Sequence, residues 1–345
     1  MVDLYRHFRV VKRIALDAAP NLVLRHPTKP KVFALTPDAG AVSEIDAASF
    51  TVTRRARMGN QALGMQVSPR GDALWVLYRD PAALVELPLE SFRPGRRIRL
   101  SSPPDAFDLT GSDSNDHRAA VISAQDRSIA IASLDRARLE RTVPVGAEPA
   151  LVRFRRDGRQ IITGNASERS LGIFDSDTGR TVVRLPLALS PRHFTIDSTG
   201  GQLFVSGDGM DAVVIVFPYT TEIWQTVLAG RAPGAMMTVE SPNSYLLVAN
   251  PETNSLTVLD LYSLKLVAVI QVGVGPCQIL MTHAKQANEQ YILVINQGSG
   301  DLAVIRNYSL NSPQLGSKPW LKSAPLFTMI PVGESPVSAV VLPLA

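Results

Sequence analysis

The stretch 246–276, LLVANPETNSLTVLDLYSLKLVAVIQVGVGP, decides the fold of this 345-residue chain. Its apolar runs are five to eight residues long, and turns rich in Asn, Pro, Ser and Gly separate them. One more apolar run precedes it, so about 42 residues contain four predicted strands. These strands are 234–239, 245–249, 255–261 and 266–272. The loops between them are too short for crossover helices, which predicts an antiparallel meander.

The same unit recurs along the chain, and a proline marks the junction before each first strand. The marker positions, with Ala62 replacing proline in one copy, are Pro20, Ala62, Pro104, Pro149, Pro191, Pro233, Pro276 and Pro336. Successive markers lie 42, 42, 45, 42, 42, 43 and 60 residues apart. A fixed period of this size indicates an array of structural units, none of which can bury both its faces alone.

Radial stacking buries such sheets on both faces, so we predict an all-β fold, a closed seven-bladed β-propeller of four-stranded antiparallel blades. Second and third strands each number seven, but two extra candidate strands, 8–16 and 336–344, leave eight blades as the alternative. We expect one chain end to complete the first or the last blade. Residues 1–345 form a single predicted domain, in which 311–325 is an inserted loop whose Trp320 folds back onto the blade edge.

The repeat resembles the YVTN-type propeller repeat, in which a strand, a Thr-Asn turn, a Val-Ile-Asp strand and a Val-Gly-x-x-Pro junction follow one another. The most similar copies are 246–276 and 161–191, whereas 34–46 and 76–88 lack the Asn turn. The resemblance covers essentially the whole chain. It implies a propeller similar to surface-layer and extracytoplasmic proteins and to lactonase-like propellers, and it supplies no catalytic residue.

Several kinds of chemistry find no support in the sequence. The single Cys277 cannot form an intrachain disulfide or a cysteine zinc site, and the five histidines lack ligand spacing. Charges interrupt every 18-residue window, so no membrane span is predicted. Aromatic residues make up only 6% of the chain, which disfavours nucleic-acid binding by base stacking. We therefore expect no metal, no cofactor and no nucleic-acid partner.

Some conspicuous residues have structural explanations. Asn165, Asn250 and Asn296 recur after second strands, where an asparagine suits a turn because its side chain can bond the backbone two residues on. Cys277 is expected to be a small buried hydrophobe. Arginines cluster on fourth strands in the first half of the chain, where charge protects exposed sheet edges from pairing with other chains.

The charge distribution leaves an acidic partner open for that basic arc. Residues 1–192 carry 29 basic and 21 acidic side chains, whereas 193–345 carry 6 and 10.

A candidate site follows from the topology, because junctions before first strands and turns after second strands open on one face of a propeller. The residues placed there are Asp105, Glu148, Arg192, His193, Asp208, Asp211 and Arg231. We expect a non-catalytic scaffold that binds a protein, peptide or glycan on this face, in the periplasm or at the cell surface. The alternative is a lactonase-like hydrolase that uses Arg192, His193 and a neighbouring carboxylate. The sequence leaves a cytoplasmic location and the oligomeric state open.

Overall fold

The computed structural model describes residues 1–4, 7–146, 148–240, 244–283, 290–310 and 325–342. Within them, seven antiparallel four-stranded sheets are arranged as a ring, and each sheet consists of four strands consecutive in the chain. The predicted all-β, seven-bladed β-propeller is therefore confirmed, and the eight-bladed alternative is wrong. We number the blades 1 to 7 in chain order.

Strands run outward from the centre of the ring in chain order within each blade. In blades 1 and 2 they are β3 Leu22–Arg25, β4 Lys31–Thr36, β5 Ala41–Asp46, β6 Thr51–Arg57, β7 Asn60–Val67, β8 Ala73–Asp80, β9 Ala83–Pro88 and β10 Arg97–Arg99. In blades 3 and 4 they are β11 Ala106–Leu109, β12 Arg118–Ser123, β13 Ser128–Ser133, β14 Arg138–Pro144, β15 Pro149–Phe154, β16 Gln160–Asn165, β17 Ser170–Asp175 and β18 Thr181–Pro186.

The remaining three blades follow the same plan. Their strands are β19 Ser190–Ile196, β20 Leu203–Asp208, β21 Ala212–Phe217, β22 Glu222–Leu228, β23 Met236–Val239, β24 Tyr245–Asn250, β25 Ser255–Asp260, β26 Leu266–Gln271, β27 Pro276–Met281, β28 Tyr291–Asn296, β29 Asp301–Arg306 and β30 Leu326–Pro331. A short two-stranded sheet of β1 Val2–Asp3 and β2 Arg9–Val10 precedes them, and a single 3-10 turn spans Asn307–Leu310.

The hydrophobic core lies between the blades. Second and third strands are buried along almost their whole length, as β24 and β25 illustrate, whereas outer strands such as β22 are largely exposed. Six clusters of buried apolar side chains each join two neighbouring blades. This burial on both faces explains why the inner strands have continuous apolar sequences rather than alternating ones.

The recurrent asparagines are structural, but not in the way predicted. Asn165, Asn250 and Asn296 are fully buried, and each donates a hydrogen bond to a third-strand side chain across its hairpin. The Asn250 amide, for example, donates to Oγ1 of Thr257 at 2.9 Å. Positive φ occurs four residues later in each of these turns, at Arg169, Asn254 and Gly300. The asparagine therefore fixes the hairpin by a cross-strand bond, and the last turn residue supplies the left-handed backbone.

Two of the fourth-strand arginines connect blades. Arg54 and Arg96, 42 residues apart, pair with the third-strand carboxylates Glu44 and Glu86, which are also 42 residues apart. Each arginine also donates to backbone carbonyls of the next blade; Arg54, for instance, donates to Leu89 O at 2.8 Å. These two arginines therefore do more than protect an edge, because they tie blade 1 to blade 2 and blade 2 to blade 3.

Both chain ends close the ring, and the expected mixed blade is wrong. The segment 336–342 packs against the inner strands of blades 7 and 1: Ala339 exchanges two hydrogen bonds with the Gln278 side chain, and Val23 N donates to Ser338 Oγ at 3.2 Å. The segment 8–16 fills the outer part of the same seam, with Phe8 4.7 Å from the Phe327 ring. The two extra candidate strands therefore wedge the seam shut.

Cys277 lies at this seam, partly buried. Its Sγ is 3.6 Å from Pro336 O, and burial raises the pKa of its thiol. The proposed inserted loop 311–325, including Trp320, falls outside the described residues except for Pro325. In the described part of the chain, no helix is long and apolar enough to span a bilayer.

Candidate functional site

The antiparallel register places the predicted site residues at one end of the blades, which we call the junction face. In blade 5, the start of β19 pairs with the end of β20, so that Ser190 lies opposite Asp208. The same register places Pro149 opposite Asn165 in blade 4. Junctions before first strands and turns after second strands therefore open together, as the topology requires.

A solvent-open cleft of about 620 Å³ lies on the junction face between blades 5 and 6. Four chain segments line it: 192–193 of β19, 207–211 around the β20–β21 turn, 231–234 before β23, and 251–252 after β24. Five of the seven predicted residues belong to this lining, namely Arg192, His193, Asp208, Asp211 and Arg231. The structure thus brings together side chains from three separate loops and one strand.

Two arginine–carboxylate pairs dominate the chemistry of the cleft. Arg192 Nε is 2.8 Å from Oδ2 of Asp208, and Arg231 Nε is 3.1 Å from Oε2 of Glu252. The side chains of Arg192 and Arg231 are 52% and 71% exposed. Pairs this exposed add little to stability, so their arrangement is available for binding a ligand.

His193 contributes a group that can accept a proton. Desolvation by the surrounding protein is the largest influence and lowers the pKa of its imidazole; Asp208 opposes this effect, and Arg192 adds to it. The ring still reaches solvent, so the lowered pKa reflects the protein on either side rather than complete burial. At neutral pH the imidazole is therefore uncharged and can accept a hydrogen bond.

The junction 231–234 is held in place by blade 5. Ala232 N donates to Oδ1 of Asp211 at 3.0 Å, and Ser206 Oγ donates to Gly234 O at 2.7 Å. Gly230, just before the junction, has φ +102°, and a Cβ there would lie 2.6 Å from the Asn250 side chain. Only glycine fits at this position, so the cleft wall is built on a backbone path that the sequence enforces.

Asp105 and Glu148 lie outside the cleft. Asp105 accepts hydrogen bonds at 2.7 Å from both Arg79 of blade 2 and the Ala124 backbone amide, so its carboxylate already connects two blades. Glu148 is exposed at the start of blade 4 and does not line the cleft.

Two further residues belong to the site although sequence reasoning missed them. Glu252 follows Asn250-Pro251 and was treated as part of a turn, but it pairs with Arg231. Arg169, in the β16–β17 turn of blade 4, reaches the cleft edge, since a Cβ on Gly209 would lie 3.7 Å from its Nη2. A signal was available for Glu252, because turns after second strands had already been assigned to this face.

The lining contains no aromatic side chain and no serine, threonine or cysteine. Among the residues that the structure describes, no group of three or more His, Cys, Asp or Glu side chains could hold a metal ion. What the arrangement offers is a set of charged and backbone polar groups in a cleft with a glycine-rich wall, which suits recognition of a polar ligand.

Comparisons with known proteins agree on the architecture. No known protein family and no curated protein sequence matches this chain. Among solved structures, the chain is similar to hydrazine synthase from Kuenenia stuttgartiensis, with 16% sequence identity, a TM-score of 0.63, and coverage of 86% of this chain and 98% of that one.

It is also similar to the dihydro-heme d1 dehydrogenase NirN in complex with DHE, with 14% identity, a TM-score of 0.72, and coverage of 93% of this chain and 67% of that one. At these identities the likeness establishes the β-propeller fold alone.

Proposed function

We propose that this propeller is a non-catalytic binding scaffold that holds an extended peptide segment of a partner protein in the cleft between blades 5 and 6. One observation carries the proposal: five residues assigned to the junction face from topology alone line a single polar cleft. Rigid blades that support such loops are a common basis for recognition, because the loops are presented without an ordering cost.

The cleft chemistry favours a peptide over a glycan or an apolar small molecule. Its lining offers two arginines, three carboxylates, a neutral histidine and exposed backbone at Gly207, Gly209 and Gly234. These groups match the charged side chains and backbone amides of a peptide, whereas an aromatic surface against which an apolar ring could pack is missing from the lining. We also propose that the repeat is of the YVTN type and that the protein acts in the periplasm or at the cell surface, which cell fractionation with a specific antibody would test.

The test uses a blocking substitution with a matched control. Pro251 is exposed in the cleft wall after Asn250, and Gln297 is exposed at the equivalent position after Asn296 in blade 7, away from the cleft. Peptides selected from a displayed random library on the wild-type protein would be titrated by fluorescence anisotropy against Pro251→Trp and Gln297→Trp. We expect Pro251→Trp to weaken binding at least tenfold and Gln297→Trp to leave it unchanged. Equal binding to both variants, or no selected peptide, would contradict the proposal.

The second candidate is a lactonase-like hydrolase, and the neutral imidazole of His193 beside Arg192 and Asp208 favours it. In that case His193 would take a proton from the attacking water, while Arg192 would stabilise the oxyanion that forms. Turnover on a lactone panel that is lost in His193→Ala would support this function. Turnover that survives in His193→Ala would refute the role of His193.

A further inference from the structure

Arg192 and Arg231 use the same atom to pair with their carboxylates. In each, Nε faces the acceptor, Asp208 for the first and Glu252 for the second. Within the described residues, the two terminal nitrogens of either guanidinium make no hydrogen bond or ion pair. Two planar groups are thus anchored on one edge, and their other edges are left for a ligand in the same cleft.

The free edge of a guanidinium presents two parallel N–H donors, a geometry that matches the two oxygens of a carboxylate or a phosphate. The neighbouring carboxylates fix the orientation of this edge, so little side-chain entropy is lost when a ligand binds. Asp208 and Glu252 are therefore positioning residues for the two arginines.

The charge balance of the cleft determines how strongly this recognition depends on geometry. Three guanidinium groups, those of Arg192, Arg231 and Arg169 at the edge, face the three carboxylates of Asp208, Asp211 and Glu252. Positive and negative charges are equal in number, so long-range attraction of an anion is weak. Selectivity must then come from paired hydrogen bonds at short range, which a lysine could not supply.

We infer that the cleft recognises an oxyanion, a carboxylate or a phosphate, on the paired terminal nitrogens of Arg192 and Arg231. This inference rests on the proposed peptide-binding function and adds the group that the peptide must carry: an acidic side chain, a C-terminal carboxylate or a phosphorylated side chain.

The experiment follows the arginine side-chain signals of the full chain by NMR during titration with sodium acetate and with inorganic phosphate, at constant ionic strength and pH 7. Arg192→Lys and Arg231→Lys each remove one signal, which assigns it, and keep the charge. Arg138→Lys, on the exposed outer strand β14, is the matched control. We expect saturable shifts at Arg192 and Arg231, and at least tenfold weaker anion binding in each of the two cleft variants but not in Arg138→Lys.

Tighter binding of acetate than of phosphate would assign a carboxylate ligand, and the reverse order a phosphorylated one. Equal shifts at Arg138, an equal response to chloride, or unchanged binding in the lysine variants would overturn the inference. If the lysine variants bind as the wild type does while Pro251→Trp still blocks the selected peptides, only the oxyanion inference fails. If the peptides bind Pro251→Trp normally, the proposed function itself fails.

Discussion

Replacing Glu44 by glutamine tests how the blades are joined. The Glu44 side chain is fully buried in β5, where it accepts hydrogen bonds from Lys31 Nζ and Thr53 Oγ1, each at 2.7 Å, and from the Arg54 guanidinium. Arg54 in turn donates to Leu89 O of blade 2. Glu44→Gln keeps the shape but removes the charge that orients this arginine, so it weakens the contact between blades 1 and 2.

The size of the effect follows from the titration of Glu44. Burial would raise the pKa of its carboxyl, but hydrogen bonds from Arg54, Lys31 and Thr53 outweigh burial and lower it to about 2. Against an ordinary pKa of 4.5, this shift corresponds to about 3 kcal/mol of folding free energy. For a chain of this length, whose unfolding entropy is about 0.7 kcal/mol/K, Glu44→Gln should lower Tm by about 4 °C at pH 7.

The sign of the pH dependence is fixed by the lowered pKa. The folded protein holds Glu44 ionised more tightly than the unfolded chain does, so its contribution is fully present above about pH 5 and is lost as pH falls toward 2. The difference in unfolding free energy between wild type and Glu44→Gln should therefore fall to about half by pH 3. Urea titration followed by circular dichroism at pH 7 and pH 3 measures it.

Two controls separate burial from mere charge removal. Glu86→Gln changes the equivalent carboxylate of blade 2, which is 12% exposed, and should cost less than Glu44→Gln. Asp17→Asn removes an exposed partner of Arg55 and should cost almost nothing. Equal stability of Glu44→Gln and wild type, or the same loss at pH 3 as at pH 7, would refute this reasoning.

Three further outcomes are expected. Acidification should destabilise the protein through His26, a buried imidazole that accepts hydrogen bonds from two backbone amides and whose pKa is lowered below 6.5, chiefly by desolvation; the loss begins as pH falls through 6.5, and His26→Gln should flatten the stability–pH curve measured between pH 7 and 5. Asn250→Ala should cost about 1–3 kcal/mol in urea unfolding, because a buried hydrogen bond to Thr257 is lost, and an unchanged midpoint would contradict that role. Deletion of 335–345 should expose apolar side chains of blades 1 and 7 and increase binding of a hydrophobic dye, whereas unaltered dye binding would mean that the seam closes without this segment.

Much of the ring could be predicted from local pattern. The apolar runs around Leu246 and Val258, together with the proline-marked junctions, depend only on strand length, turn chemistry and burial, and they determined the strand order and the blade number. The junction face followed from the antiparallel register alone. Arg192 and Asp208 sit on paired strands, so their proximity follows from the same register.

Long-range contacts could not be predicted in this way. Asp105 is occupied by Arg79, a partner 26 residues away in another blade, and no periodic signal announces that pair. Ring closure depends on how two terminal segments divide one seam, which is a question of three-dimensional packing rather than of repeat count. The Glu44–Arg54 connection was hidden for another reason: its 42-residue recurrence is visible, but whether an edge arginine faces solvent or the next blade depends on the twist between blades.

Hydrogen–deuterium exchange of the full chain, with and without a selected peptide, tests most directly whether the cleft between blades 5 and 6 is the binding site. Slower exchange confined to the backbone amides of 207–211, 231–234 and 251–252 is the predicted result. Slower exchange on the outer strands or at the opposite ends of the blades, with these three segments unchanged, would contradict it.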